Sequence, residues 1–220
     1  SPYHGDALPT ELREPGHHRW PGTRMPRDQA RSTVAGVSYG LPSAPMEVRL
    51  ALPDDAEAIR AIYNHEVRTS TASFDLVERS AEDQAAWLAE RSGAFSVLVA
   101  VGPAAAGDGA DEGTGEVLGF ASLSSYKERA AYRSTVEDSV YVDADHRGRG
   151  VADRLLGDLL AVARTSGFHS VIARIGGGNE ASIALHAKHG FVEVGVERQV
   201  GRKFGRWQDV TVMQVVFDEV

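Results

Sequence analysis

Tyr141-Val142-Asp143-Ala144-Asp145-His146-Arg147-Gly148-Arg149-Gly150-Val151-Ala152 is the stretch that decides the fold. An apolar, β-branched run ends at Val142, Gly148 and Gly150 flank Arg149, and an amphipathic pattern starts at once. That pattern places Leu155, Leu156, Leu159, Leu160 and Val162 at helical spacing. A strand, a tight turn and a helix in immediate succession aim several free backbone N–H groups at one point. The positive end of the helix dipole adds to them, so the turn is a cradle for a pyrophosphate. The two glycines let the backbone approach closely, and Arg147 and Arg149 add positive charge. Two other phosphate cradles are excluded by the residues themselves. The dinucleotide pattern G-x-G-x-x-G breaks at Asp153, and the G-K-[ST] end of a P-loop is absent.

Upstream of the turn, residues 135–143 read as the strand that feeds it, 117–126 as another, and 95–101 as a dense buried strand. Ser80 with Asp83 resembles a capping box ahead of a helix carrying Trp87 and Leu88. Pro53-Asp54-Asp55 starts an earlier helix with Ile59, Ile62, Tyr63 and Val67 on one face, and 46–50 alternates like a short strand. Downstream, Gly167 stops the helix after the turn, 170–175 is a strand, and 180–189 is a short helix stopped by Gly190. Residues 191–202 and 209–217 read as two long closing strands. The order β-α-α-β-β-β-α-β-α-β-β predicts an α/β fold of the mixed α+β kind, with helices on both faces of a mixed sheet. Residues 102–115 read as a flexible loop, expected to be a long hairpin connection. Residues 1–45, rich in proline and arginine and without periodicity, read as an irregular arm ahead of a domain at 46–220.

Composition narrows the function. An apolar content of 42% fills a core, and no run of about 18 apolar residues exists to span a membrane. The net charge of −8, without a basic stripe, argues against nucleic acid. Cysteine is absent, which removes disulfides, thiolate metal sites and cysteine nucleophiles and fits a cytoplasmic setting. His4, His17 and His18 have no third ligand at useful spacing, so no metal is expected.

Arg147, Gly150 and Ala152 form Arg-x-x-Gly-x-Ala, which resembles the Q/R-x-x-G-x-G/A signature of the GNAT acetyltransferases. The downstream run Asn179-x-x-Ser182-x-x-Leu185-His186-x-x-x-Gly190-Phe191 resembles the C-terminal motif of the same family, and the likeness covers roughly residues 46–217. It implies a central, mostly antiparallel twisted sheet and acetyl-CoA as co-substrate. The residues it assigns to the coenzyme are Val140, Tyr141, Val142, Arg147, Gly148, Arg149, Gly150, Val151, Ala152, Asp153, Asn179 and Ser182. It also sets Glu137 beside the acetyl group as general base, direct or through a water. His186 stands where many relatives carry a tyrosine that protonates the thiolate. A histidine there donates a proton or helps to deprotonate the amine; otherwise it is a satisfied, half-buried residue. Asp138 is expected on the opposite face by strand alternation.

Tyr63-Asn64-His65-Glu66, then Thr69-Ser70-Thr71-Ala72-Ser73-Phe74, resembles the opening of the phosphinothricin and methionine sulfoximine N-acetyltransferases. Residues 127–132, 135–142 and 203–210 are similar to three further segments of that group. The implied acceptor is a small amino-acid analogue. Lys127, Arg129 and Tyr132 hold its carboxylate, Phe74 walls its stem, and Lys203 and Trp207 line the far end, from the same chain or a neighbouring subunit. Asp75 stands where phosphinothricin-specific enzymes carry an arginine. An acid facing the pocket would repel a phosphinate, so methionine sulfoximine or sulfone stands as an equal expectation. An aminoglycoside or protein N-terminus as acceptor, and a non-catalytic acetyl-CoA-binding module, remain open. The resemblance further implies a homodimer paired through the C-terminal strands.

Overall fold

The computed structural model describes residues 46–103 and 115–217. The predicted arm at 1–45 and the tip of the 102–115 connection lie outside the described residues. The described chain runs β1 (Glu47–Leu50), α1 (Ala56–Thr69), α2 (Ala81–Ala89), β2 (Leu98–Val101), β3 (Val117–Ser125), β4 (Thr135–Val142), α3 (Val151–Thr165), β5 (Ser170–Gly176), α4 (Glu180–Lys188), β6 (Val192–Lys203) and β7 (Arg206–Val216). The seven strands form one sheet in the order β1-β2-β3-β4-β5-β7-β6. Every pairing is antiparallel except β4 with β5. The expected order of elements stands, with one shortened strand. The strand expected at 95–101 begins at Leu98, since Phe95 closes a 3-10 turn at 93–95 that Gly93 enters with a positive φ.

Local chemistry sets the helix ends. Before α1, Asp55 takes two hydrogen bonds from Arg49, at 2.7 and 3.0 Å, and one from the Leu52 N–H at 2.6 Å. At α2 the capping box forms: the Asp83 N–H donates to Ser80 Oγ at 3.0 Å and the Ser80 N–H to Asp83 Oδ2 at 3.3 Å. Both faces of the sheet are packed. Leu155, Leu156 and Leu159 of α3 are fully buried against Val136, Val171, Ala173 and Met213. Each contributes about 1.5–3 kcal/mol of apolar burial. On the other face Ile59, Ile62, Tyr63 and Val67 of α1 cover Val99, Val101 and Phe120.

The feature that positions the site is the short ladder between β4 and β5. It holds three pairs, Thr135↔Ser170, Val136↔Val171 and Glu137↔Ile172. β4 stays paired with β3 as far as Val142, and β5 with β7 as far as Gly176. The sheet therefore opens between β4 and β5 beyond Glu137. Strand alternation divides the groups at this opening: Tyr141 packs with the α1 side, while Val136, Val140 and Val142 pack with the α3 side. Glu137 thus shares a face with Tyr141, and Asp138 shares one with Val140.

Candidate active site

A cleft of about 900 Å³ fills the opening. It runs from the turn after β4, past Ser139–Val142 and Ala173–Gly177, to Glu137 and Asp138, with the 70–75 segment as its outer wall. At the turn, Asp143 Oδ1 accepts hydrogen bonds from the Asp145 N–H at 2.9 Å and from His146 Nδ1 at 3.1 Å. Gly148 and Gly150 take φ of 73° and 82°, where a side chain would meet no neighbour but the backbone itself is costly for other residues. The first bond inside α3 is Arg154 N–H to Gly150 O at 3.1 Å. The N–H groups of Val151, Ala152 and Asp153 precede it, and Gly150 supplies no side-chain cap. These donors at a helix N-terminus, opening on a cleft, suit a pyrophosphate with an extended arm.

The predicted coenzyme residues fall into three groups. Val140, Tyr141, Val142, Gly148, Gly150, Val151, Ala152, Asn179 and Ser182 border the cleft. Asn179 Oδ1 caps α4 by accepting from the Ser182 N–H at 3.1 Å, a bond that leaves its amide donors unused. Arg147 and Asp153 border the cleft with their side chains committed elsewhere. Arg147 forms an ion pair with the buried Glu66 of α1, which also accepts from Ser70 Oγ. Asp153 ties α3 to α4 through Lys188 at 2.8 Å and His189 at 2.9 Å. These partners hold its carboxyl below the usual range. Arg149 is exposed and does not border the cleft.

Glu137 is half-buried at the apex of the opening. Burial raises its pKa above the ordinary carboxylate value, Arg174 pulls it down, and Asp138 and Glu197 add to the rise. A carboxylate that holds its proton more tightly than usual is a stronger base. Arg174 of β5 was not among the expected site residues. It lines the cleft, binds Glu197 of β6 at 2.9 Å, and acts on the charges of both Glu137 and Lys127. A basic residue inside the apolar strand SVIARIG is the signal that marks it.

On the opposite face His186 is buried, with Phe191 packed edge-on at 4.9 Å. Its Nδ1 lies 2.7 Å from the Ser182 carbonyl oxygen and its Nε2 lies 3.0 Å from Asp138 Oδ2. Asp138 does face away from Glu137, as alternation requires, but its pairing with His186 has no local signature.

The predicted acceptor residues are not all brought together. Phe74 borders the cleft, its ring seated over Gly176 and Gly201, where an added Cβ would come within 2.7 and 2.3 Å of it. Asp75 faces the same cleft and accepts a 2.6 Å hydrogen bond from Tyr63, whose hydroxyl also lies 2.9 Å from Ser73 Oγ. Lys127, Arg129 and Tyr132 line a second cavity of about 400 Å³ along the β3–β4 connection. Lys127 Nζ sits 4.6 Å from the Tyr126 ring centroid and 5.2 Å from that of Tyr132. Lys203 is buried and donates to the Ser73 carbonyl at 2.5 Å, so it fastens the 70–75 wall instead of lining the cleft. Trp207 is 61% exposed on the β6–β7 hairpin. Among the described residues no acidic, histidine or cysteine cluster is arranged to hold a metal.

Comparison with known proteins agrees with this geometry. The family described as acetyltransferase (GNAT) matches residues 59–191. A phosphinothricin N-acetyltransferase of Alcaligenes faecalis is 44% identical over 169 residues, covering 76% of this chain and 80% of the relative. An L-methionine sulfoximine/L-methionine sulfone acetyltransferase of Pseudomonas paraeruginosa is 40% identical, covering 74% and 90%. The crystal structure of a GNAT superfamily phosphinothricin acetyltransferase from Sinorhizobium meliloti in complex with AcCoA superposes with a TM-score of 0.70 at 34% identity, covering 78% and 88%.

Proposed function

The chain belongs to the acetyltransferase (GNAT) family and is an acetyl-CoA N-acetyltransferase; from that premise we propose that it acetylates the α-amine of a small amino-acid analogue by direct transfer. The observation that carries the reading is the pair Glu137 and Arg174, which interact through charge and line the same cleft as the glycine turn before α3. In this reading the turn, the first N–H groups of α3 and Asn179 hold the coenzyme, which supplies the activated acetyl group. Glu137 takes the proton of the acceptor ammonium, directly or through a water. The amine nitrogen bonds to the acetyl carbon, the C–S bond breaks, the leaving thiolate takes the proton held at His186 Nε2, and the second proton of the amine nitrogen passes to water. Arg174, with Lys127, Arg129 and Tyr132 in the adjoining cavity, answers the α-carboxylate.

Asp75 decides the side chain. Its carboxylate faces the cleft, so an anionic phosphinate head is disfavoured and the neutral heads of methionine sulfoximine and methionine sulfone are preferred. A homodimer through the C-terminal strands fits the apolar side chains that β6 exposes, among them Val192 and Val194, and would bring a neighbour's Trp207 to the site. A cytoplasmic setting without nucleic acid or membrane partners fits the net charge of −8.

The test is thiol release from acetyl-CoA against phosphinothricin, methionine sulfoximine and methionine sulfone. Turnover is expected with the last two above the first, and Glu137→Gln lowers kcat by about 10²–10⁴-fold. No turnover with any of the three removes the acceptor assignment in favour of another amine, such as an aminoglycoside or a protein N-terminus. Coenzyme binding without turnover across an amine panel favours a non-catalytic module.

A further inference from the structure

Asp138 and His186 are among the most buried ionisable groups described, and their hydrogen bonds fix the protonation of the pair. The Ser182 carbonyl oxygen only accepts, so Nδ1, at 2.7 Å from it, carries a hydrogen. Nε2 faces Asp138 Oδ2 at 3.0 Å, so one further proton is shared between those two atoms. Asp138 Oδ1 is also buried and makes no hydrogen bond among the described residues, and Asp138 is one of the residues that border the cleft. A purely structural ion pair gives no reason for a buried carboxylate beside a ligand cleft to leave one oxygen without a partner.

We infer that Asp138 is the positioning residue of a buried one-proton pair, keeping that proton on His186 Nε2 at the β4–β5 opening until the transfer reaction draws it off. The inference rests on the acetyl-transfer reading above for the use of the proton, but not for its existence. Burial works against an imidazolium here, while the hydrogen bond and charge of Asp138, with the Ser182 carbonyl, outweigh it and raise the His186 pKa. Of the other charged groups about the cleft, Glu137 interacts with Asp138 through charge. Glu137 and Arg174 face the opposite side of the sheet, and Lys188 and His189 are bound to Asp153 of α3. A neutral residue at position 138 would leave burial opposed by the Ser182 carbonyl alone, and the proton would be lost at lower pH.

Histidine-selective NMR titration of the full chain tests the pair, with the His186 signal identified by its disappearance in His186→Gln. The midpoint is expected above that of free histidine, and at or below it in both Asp138→Asn and the smaller Asp138→Ser. A midpoint that stays in place in the folded variants overturns the inference. The second readout is kcat against pH. The alkaline loss of activity moves to lower pH in Asp138→Asn, with kcat at pH 8 reduced about 10²-fold, the low end of what a positioned acid is worth. The KM for acetyl-CoA stays within about twofold. If the midpoint moves and the alkaline limb does not, the proton is not used in the reaction, and the inference falls on that side. Absence of turnover with every amine would strike the acetyl-transfer reading alone, because the NMR midpoint judges the pair without a substrate.

Discussion

Gly201→Ala tests whether the cleft wall is built as described. Gly201 lies in β6 outside the left-handed region, so its backbone suits alanine, and the obstacle is purely spatial. A Cβ there would stand 2.3 Å from Phe74 Cε2 and 2.6 Å from Cδ2, whereas ordinary contact begins at 3.4 Å. The ring must therefore retreat by about 1.1 Å or the hairpin must yield. Phe74 is 37% exposed, so it has solvent to swing into, and the cost belongs at the lower part of the overpacking range, about 1 kcal/mol. The functional effect is larger than the stability effect if Phe74 walls the acceptor. Moving it is expected to raise the acceptor KM about tenfold while leaving the affinity for acetyl-CoA near that of the unaltered enzyme. Urea unfolding and steady-state kinetics read the two effects. Phe74→Ala supplies the control, because the alanine side chain does not reach Gly201. In that background Gly201→Ala should cost under about 0.5 kcal/mol and leave KM unchanged. If Gly201→Ala costs the same with and without the Phe74 ring, the proposed seat is wrong.

Two further perturbations follow from the ion pairs. Glu66 is 6% and Arg147 52% exposed on their side chains, so removing either partner is not symmetrical. Arg147→Ala strands a buried carboxylate and is expected to cost about 1–3 kcal/mol, whereas Glu66→Gln leaves a solvated guanidinium and costs under about 1 kcal/mol. Equal losses in urea unfolding would contradict the burial of Glu66. Arg174 pulls the Glu137 pKa down against burial, so Arg174→Gln raises it further. A base acts in its deprotonated form, so the acidic limb of kcat/KM should move to higher pH, with a rise in acceptor KM from the lost carboxylate partner. An unmoved limb would remove either Glu137 as the base or Arg174 as its neighbour.

The turn and α3 were legible because everything they need is local. Two glycines at positive φ, an uncapped helix start and a 3.6-residue apolar period all fall within residues 148–163. The opening between β4 and β5 was not legible, since it depends on a ladder that ends after three pairs between strands more than 30 residues apart. Arg174, the pairing of Asp138 and the inward turn of Lys203 escape the sequence for the same reason. Arg174 acquires its role from Glu197 across the sheet, and Asp138 from His186, 48 positions away. Lys203 looked like a pocket residue by resemblance. It is drawn inward because its hairpin returns over the 70–75 segment, where the Ser73 carbonyl accepts a hydrogen bond from it, and burial lowers its pKa. Asp75 was the reverse case: the sequence posed the question of its direction, and the Tyr63 hydroxyl turns out to hold it at the cleft.

The separation of charges at the opening has a chemical consequence. An acyl transfer to an ammonium needs a group that accepts a proton and a group that gives one, both near the same carbon. A carboxylate and an imidazolium in direct contact would neutralise one another and titrate as a single pair. In the proposed mechanism the base and the acid are kept apart: Glu137 stands on one face of β4, and His186 of α4 is bound to the neighbouring Asp138 on the other. Glu137 is balanced by Arg174 on the α1 side, and His186 by Asp138 on the α4 side. Because period-two alternation alone would seal such groups away from each other behind the sheet, the arrangement works only where the sheet is open. The ladder stops at Glu137, the last position before Asp138, so the opening begins where the proposed mechanism needs both faces to reach one ligand. Extending the β4–β5 pairing by two residues would leave both pairs intact and deprive them of a common substrate.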